Sequence, residues 1–188
     1  MSSVLELIKF GAGADRGPAY TYEGVVHHEN EGGPNGRLVM APARGQVALV
    51  QRLVSCLPEP LRLLYVLVVP RGTNVLPGRY EAPELSRVET TDVLAEFSSF
   101  LEQDGRHHLW VASPGHGTIV YDRHNLIYAY GPLECYERQA IQQGLHAGRP
   151  EVPSPHWHAY HPEFDASQHA LLQRFDWVRS ALRESDDE

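Results

Sequence analysis

Apolar positions change their spacing several times along this chain, and each change predicts an element. Val4 to Phe10 alternates with the two-residue period of a strand. After a glycine-rich stretch at 11–18, Ala19 to His28 suits a second strand. Glu29 to Arg37 is punctuated by turn formers and reads as a loop or hairpin end. From Gly45 to Leu57 the apolar residues Val47, Leu49, Val50, Leu53, Val54 and Leu57 follow helical spacing, which Pro58 and Pro60 end. Leu61 to Val69 is apolar almost without interruption, as expected of a strand covered on both faces.

Beyond a loop at Pro70–Pro83, Thr91-Asp92 is a cap for a helix whose face is Val93, Leu94, Phe97, Phe100 and Leu101, stopped by Asp104-Gly105. Three short strands follow, His107–Ala112, Thr118–Tyr121 and Leu126–Tyr130, with a tight turn at Asp122-Arg123-His124-Asn125. Pro132 opens a helix that Gly144 closes. Residues 148–163 form a Pro/His-rich connector, and 164–184 an amphipathic C-terminal helix on Leu171, Leu172, Phe175, Val178 and Leu182. The pattern predicts one α+β domain with a core over 1–147, the connector, the packed final helix, and a frayed acidic tail at 185–188. Its sheet is mixed and mostly antiparallel, of about five to six strands with about four helices.

The 188 residues carry a net charge of −8, which disfavours nucleic acid and anionic membranes and suits a basic protein partner. No apolar run approaches the roughly 20 residues of a membrane span, and the N-terminus lacks the pattern of a secretion signal. Arginine outnumbers lysine fifteen to one, a bias expected of a GC-rich bacterial genome, so a Schiff-base lysine would have to be Lys9. Two cysteines, Cys56 and Cys135, are too few for a disulfide framework, and free thiols in a cytoplasmic protein are expected.

Chemistry has few places to reside. Gly11-Ala-Gly13 follows a strand, but Arg16 and Pro18 stand where a dinucleotide-binding helix would begin. Val111-Ala-Ser113-Pro-Gly115 lacks the first glycine of a nucleophile elbow. Cys135, in the first turn of the helix after Pro132, is a candidate nucleophile, with His116 or His124 as its base and Glu134 and Glu137 opposing a thiolate.

The densest cluster is Pro155-His156-Trp157-His158-Ala159-Tyr160-His161-Pro162. In an extended segment His156 and His158 share one face and Trp157 takes the other, and His161 and Asp165 are further ligands for a divalent metal such as zinc. This short string resembles the motif of the histidine-triad nucleotide hydrolases: His156 and His158 fit, while Tyr160 takes the third place and the histidine falls at His161. That family's activity is not carried over.

Tyr121, Tyr128, Tyr130 and Tyr136 are the candidates for a protein-contact face, since tyrosine is enriched at binding hot spots. Size, acidity and the lack of a catalytic set lead to a non-enzymatic protein-binding domain, such as an immunity-type inhibitor or accessory factor. The alternative is a metal-assisted hydrolase or metal-binding protein built on the histidine cluster. Convergence of His156, His158 and His161 with Cys135, His116 or His124 in one cleft favours the second reading.

Overall fold

The helix after Gly45 and the strands at Arg62–Leu67, His107–Ser113, Gly117–Tyr121 and Ile127–Tyr130 fall where the apolar spacing puts them. The expected loop at Pro70–Pro83, by contrast, contains a strand, Gly78–Glu81, and Arg37–Ala41 is an unexpected strand. A computed structural model describes residues 7–14, 17–30, 35–71 and 75–186. Residues 4–6 of the first expected strand, Arg16, residues 31–34 and 72–74, and the last two of the tail lie outside them.

The α+β class holds, with five α-helices and more strands than expected. The strands are β1 (Phe10–Ala12), β2 (Val25–Glu29), β3 (Arg37–Ala41), β4 (Arg62–Leu67), β5 (Gly78–Glu81), β6 (His107–Ser113), β7 (Gly117–Tyr121), β8 (Ile127–Tyr130), β9 (His146–Ala147), β10 (His156–His158) and β11 (Val178–Ser180). Nine of them form one sheet in the order β11-β5-β4-β6-β7-β8-β3-β2-β9. All its pairings are antiparallel except β2 with β9. The remaining two strands, β1 and β10, make a separate antiparallel ribbon.

Alternation along the strands sends Leu63 and Tyr65 of β4, Leu109 and Val111 of β6, Ile119 of β7 and Ile127 of β8 into one core. The helices α1 (Gln46–Val54), α2 (Arg87–Glu96), α3 (Ser98–Gln103) and α4 (Leu133–Gln142) cover that core through Leu49, Leu53, Val93, Leu94, Phe100 and Tyr136. The second helix starts earlier than expected. Ser86, not Thr91-Asp92, is its cap, in a reciprocal capping box with Glu89, and the hydroxyls of Thr90 and Thr91 donate back to helix carbonyls instead.

Four further expectations are corrected. Cys56, just after α1, and Cys135, in the first turn of α4, form a disulfide with Cα atoms 6.0 Å apart, because the two helices lie side by side. The connector contains β10. The long final helix is only α5 (Asp165–Gln173); beyond it Trp177 turns its Nε1 back to the carbonyl of Leu171, and β11 adds to the sheet edge beside β5. The acidic end is anchored rather than frayed at Asp186, a buried carboxylate paired with Arg79.

The ribbon closes over the end of the sheet that carries the β7–β8 turn. Phe10, 1% exposed, packs there with Tyr22, Val25, Val39, Ala41 and Leu126 in a second, smaller apolar cluster. Lys9 is buried just before β1: its ammonium donates to the Leu101 carbonyl at 3.0 Å and lies 3.8 Å from the centre of the Tyr121 ring. Burial lowers its pKa to about 7, with Asp122, Asp104 and Glu102 working against that shift.

Candidate metal centre

Two separate pieces of chain bring three imidazoles together. His124 comes from the β7–β8 turn, and His156 and His158 from one face of β10. Their ligand atoms all lie within 4.8 Å of one another. The Phe10 ring forms a floor beneath them, 5.4, 5.5 and 5.7 Å from His124, His156 and His158.

The turn is built by Asp122. Its Oδ1 accepts from the backbone N–H groups of His124 at 2.9 Å and Leu126 at 2.8 Å, which fixes the loop as an Asx turn. Asn125 sits at φ 62°, a left-handed conformation that asparagine tolerates, and its side chain accepts from the Tyr121 hydroxyl. The other carboxylate oxygen, Oδ2, lies 3.1 Å from Nδ1 of His124. One buried aspartate thus shapes the turn and aims the ring.

On the ribbon, close approach does the positioning. Phe10 pairs with His158, Gly11 with Trp157 and Ala12 with His156. The Trp157 indole lies against Gly11, where a Cβ would run into the ring. Gly105, between α3 and β6, meets β10 from the other side: a Cβ there would stand 2.9 Å from Cβ of His158 and 2.8 Å from the Lys9 carbonyl. Glycine is needed at both positions for space.

The hydrogen bonds settle which nitrogens face inward. Nδ1 of His156 lies 3.0 Å from the Pro153 carbonyl, and Nδ1 of His124 faces a carboxylate. Both partners only accept, so each Nδ1 carries a proton and each ring turns its Nε2 toward the other. These two Nε2 atoms are 3.2 Å apart. At that spacing the two nitrogens share either a proton or a metal ion, since two bare lone pairs facing each other repel. Two ligands of a tetrahedral zinc, each about 2.05 Å from the metal, stand about 3.3 Å apart. The third imidazole, His158, has its Nδ1 buried without a hydrogen-bond partner among the described residues. Burial first, then Arg123 and the other two histidines, lower its pKa to about 2, so it is neutral and free to ligate. Closing the set around one ion takes at most about 1.5 Å of side-chain movement.

The cluster opens on a pocket of about 480 Å³ lined by Asp122, Arg123, Tyr128 and Val152 beside the three histidines. Three protein ligands with an open side form the usual frame of a catalytic metal site, and imidazoles held from behind by a carboxylate and a carbonyl are its usual outer support.

The other ligands expected from sequence lie elsewhere. His161 directs its Nε2 to the Ile8 carbonyl at 2.8 Å, and its own N–H is taken by Asp104. Asp165 pairs with Arg71 and Arg106, each at 3.0 Å. Cys135 is in the disulfide, so it is not a nucleophile with His116 or His124 as base. His116 sits exposed in the β6–β7 turn, its Nδ1 bonded to the Pro114 carbonyl. That turn and the His124 turn cap opposite ends of β7, roughly 15 Å apart along the strand.

The four tyrosines do not make a common outer face. Tyr121 and Tyr136 are buried in the core, the half-buried Tyr128 lines the histidine pocket, and the Tyr130 hydroxyl accepts from Arg37. Their strand and helix periodicity places them, and half of it faces inward. Asp122, Arg123, Gly105 and Phe10 are the site residues that sequence reasoning passed over. Asp122, two residues before His124 in a turn, was the one with a legible signal.

Among the described residues no helix is long and apolar enough to cross a membrane. Comparison with known proteins brings no matching family model, no matching curated protein and no matching solved structure. The functional reading therefore rests on the site itself.

Proposed function

We propose that the protein is a metal-dependent hydrolase in which His124, His156 and His158 hold a divalent ion such as zinc. One observation carries this reading: two imidazole nitrogens, each with its opposite nitrogen anchored on an acceptor, face each other at 3.2 Å beside a third. A proton would bridge two of these nitrogens; a metal ion employs all three. Such an ion supplies a Lewis acid that brings the pKa of a bound water toward neutrality. The chain contributes the ligand frame, the Asp122 support and the apolar floor of Phe10. The Cys56–Cys135 disulfide supports an oxidising compartment rather than the cytoplasm that free thiols implied.

Tag-free protein stripped with chelator should take up one zinc, with uptake lost in His124→Ala and His158→Ala. Asp122→Asn, which turns an amide toward Nδ1 of His124, should weaken zinc binding about 10- to 100-fold. Equal affinity in wild type and the histidine variants would sink the metal reading. The hydrolase reading falls separately if zinc-loaded protein and His124→Ala cleave p-nitrophenyl acetate at the same rate.

A further inference from the structure

Beside the three histidines stands a cation with no ion-pair partner among the described residues. Arg123, the turn residue next to His124, is half-buried and lines the same pocket. Two neutral acceptors fix its guanidinium: Nε donates to the Gly105 carbonyl at 3.1 Å and Nη2 to the Tyr160 hydroxyl at 3.2 Å. Nη1 has no partner among the described residues, and no carboxylate there forms an ion pair with this arginine. The two buried guanidiniums among the described residues are neutralised, Arg106 by Asp104 and Asp165, Arg79 by Asp186. A rigid, unpaired guanidinium is what recognition of an oxyanion asks for, because its N–H fork is pre-organised and keeps its charge at any physiological pH.

Resting on the metal reading above, we propose that the substrate is a small molecule carrying a carboxylate or phosphate. That group docks on Nη1 of Arg123 while the reacting group faces the metal. The charges agree with this assignment. Imidazoles that ligate a metal are uncharged, so with a divalent ion bound the ion and Arg123 outweigh the single carboxylate of Asp122 in the lining, within a protein of net charge −8. Tyr128 and Val152 complete the wall with an aromatic ring and an aliphatic side chain, room for a modest apolar body between the two anchor points.

The test uses the full chain loaded with cobalt, with ligand binding measured by titration calorimetry. Acetate, methyl phosphate and neutral acetamide are titrated into wild type, Arg123→Gln and Tyr160→Phe. Arg123→Gln should weaken whichever anion the site takes about 10- to 100-fold, the size of a hydrogen bond to a charged group, and leave acetamide unchanged. Tyr160→Phe keeps the charge and loses one anchor, so its anion affinity should fall by a smaller factor. Acetate and methyl phosphate separate the carboxylate and phosphate classes. Anion affinity that is the same in wild type and Arg123→Gln, with cobalt bound equally by both, overturns this inference and leaves the metal reading standing. Failure of the wild type to bind cobalt or zinc overturns both.

Discussion

In the main sheet, residues such as Leu63, Tyr65, Val111 and Ile127 are sealed between strands and helices. In the β1–β10 ribbon, Phe10 is the one fully buried side chain. The sheet is held by apolar area removed from water, which sums over many residues. The ribbon is held mainly by directed contacts: Gly13 N–H to the Pro155 carbonyl at 2.8 Å, Gly105 N–H to the Ala159 carbonyl at 2.8 Å, Ala159 N–H to the Lys9 carbonyl at 3.0 Å, and the His161 N–H on Asp104. Arg106 completes this network, fully buried and bonded at once to Asp104, Asp165, Gln168 and the His161 carbonyl. The candidate centre lies where these two regions meet, with one ligand on a sheet turn and two on the ribbon. Stability and ligand geometry therefore reside in different parts of the molecule, and variants should separate them.

The largest effect should come from the helical layer. Replacing both Cys56 and Cys135 by alanine releases a cross-link spanning 79 residues, worth about 4 kcal/mol in a chain-entropy account. Denaturant unfolding should show that loss, while zinc affinity of the still-folded protein stays as in wild type. Leu63→Ala comes next, costing about 3 kcal/mol through a cavity under the helices, again without touching zinc affinity. A parallel fall in zinc affinity in either variant would erase the distinction between the two regions.

Gly105→Ala tests the other side. A methyl group at 2.9 Å from His158 should cost about 1–2 kcal/mol by overpacking, yet weaken zinc binding about tenfold by pushing β10 away from the turn. Calorimetric zinc titration of this variant beside Leu63→Ala is the sharpest contrast available.

The smallest effect concerns pH. His108 of β6 is buried against the Asp186 carbonyl, and burial lowers its pKa to about 4, with Asp122 opposing and Lys9 and Arg123 adding to the shift. Its folded pKa lies below the ordinary 6.5, so below that pH the unfolded chain binds the extra proton. Stability is unaffected above pH 7 and falls as pH drops, by about 1 kcal/mol from this residue between pH 7 and 5.5. His108→Gln, which keeps a donor for Asp186, should remove that increment from the wild-type pH–stability curve. Unchanged curves would mean that His108 is not sequestered.

This comparison also explains what could be read from the chain. Val47, Leu53 and Leu63 announce helix and strand through spacing, because burial against a layer demands periodicity. Of the centre, His156 and His158 were legible as neighbours on one strand face, and His124 as an isolated histidine. Their meeting was not, since it depends on β10 pairing with β1 from the opposite end of the chain. His161 looked equivalent to its neighbours, but Asp104 claims its N–H and the Ile8 carbonyl takes its ring. Cys56 and Cys135 gave no sign of bonding, because the helix packing that joins them is a long-range contact. Gly11 read as part of a glycine-rich turn and Gly105 as a helix stop, whereas each makes room for a particular side chain.

The pairing of Phe10 with His158 has a consequence in time as well as in space. Its loop closure spans most of the polypeptide, so it carries a high entropic cost and its reward comes only once the intervening sheet exists. Two ligands ride on that last closure, while His124 waits on a turn that forms locally. An ion captured here would therefore report completion of folding rather than collapse. Rapid-mixing experiments following tryptophan fluorescence and cobalt absorption together should find the metal signal trailing the fluorescence.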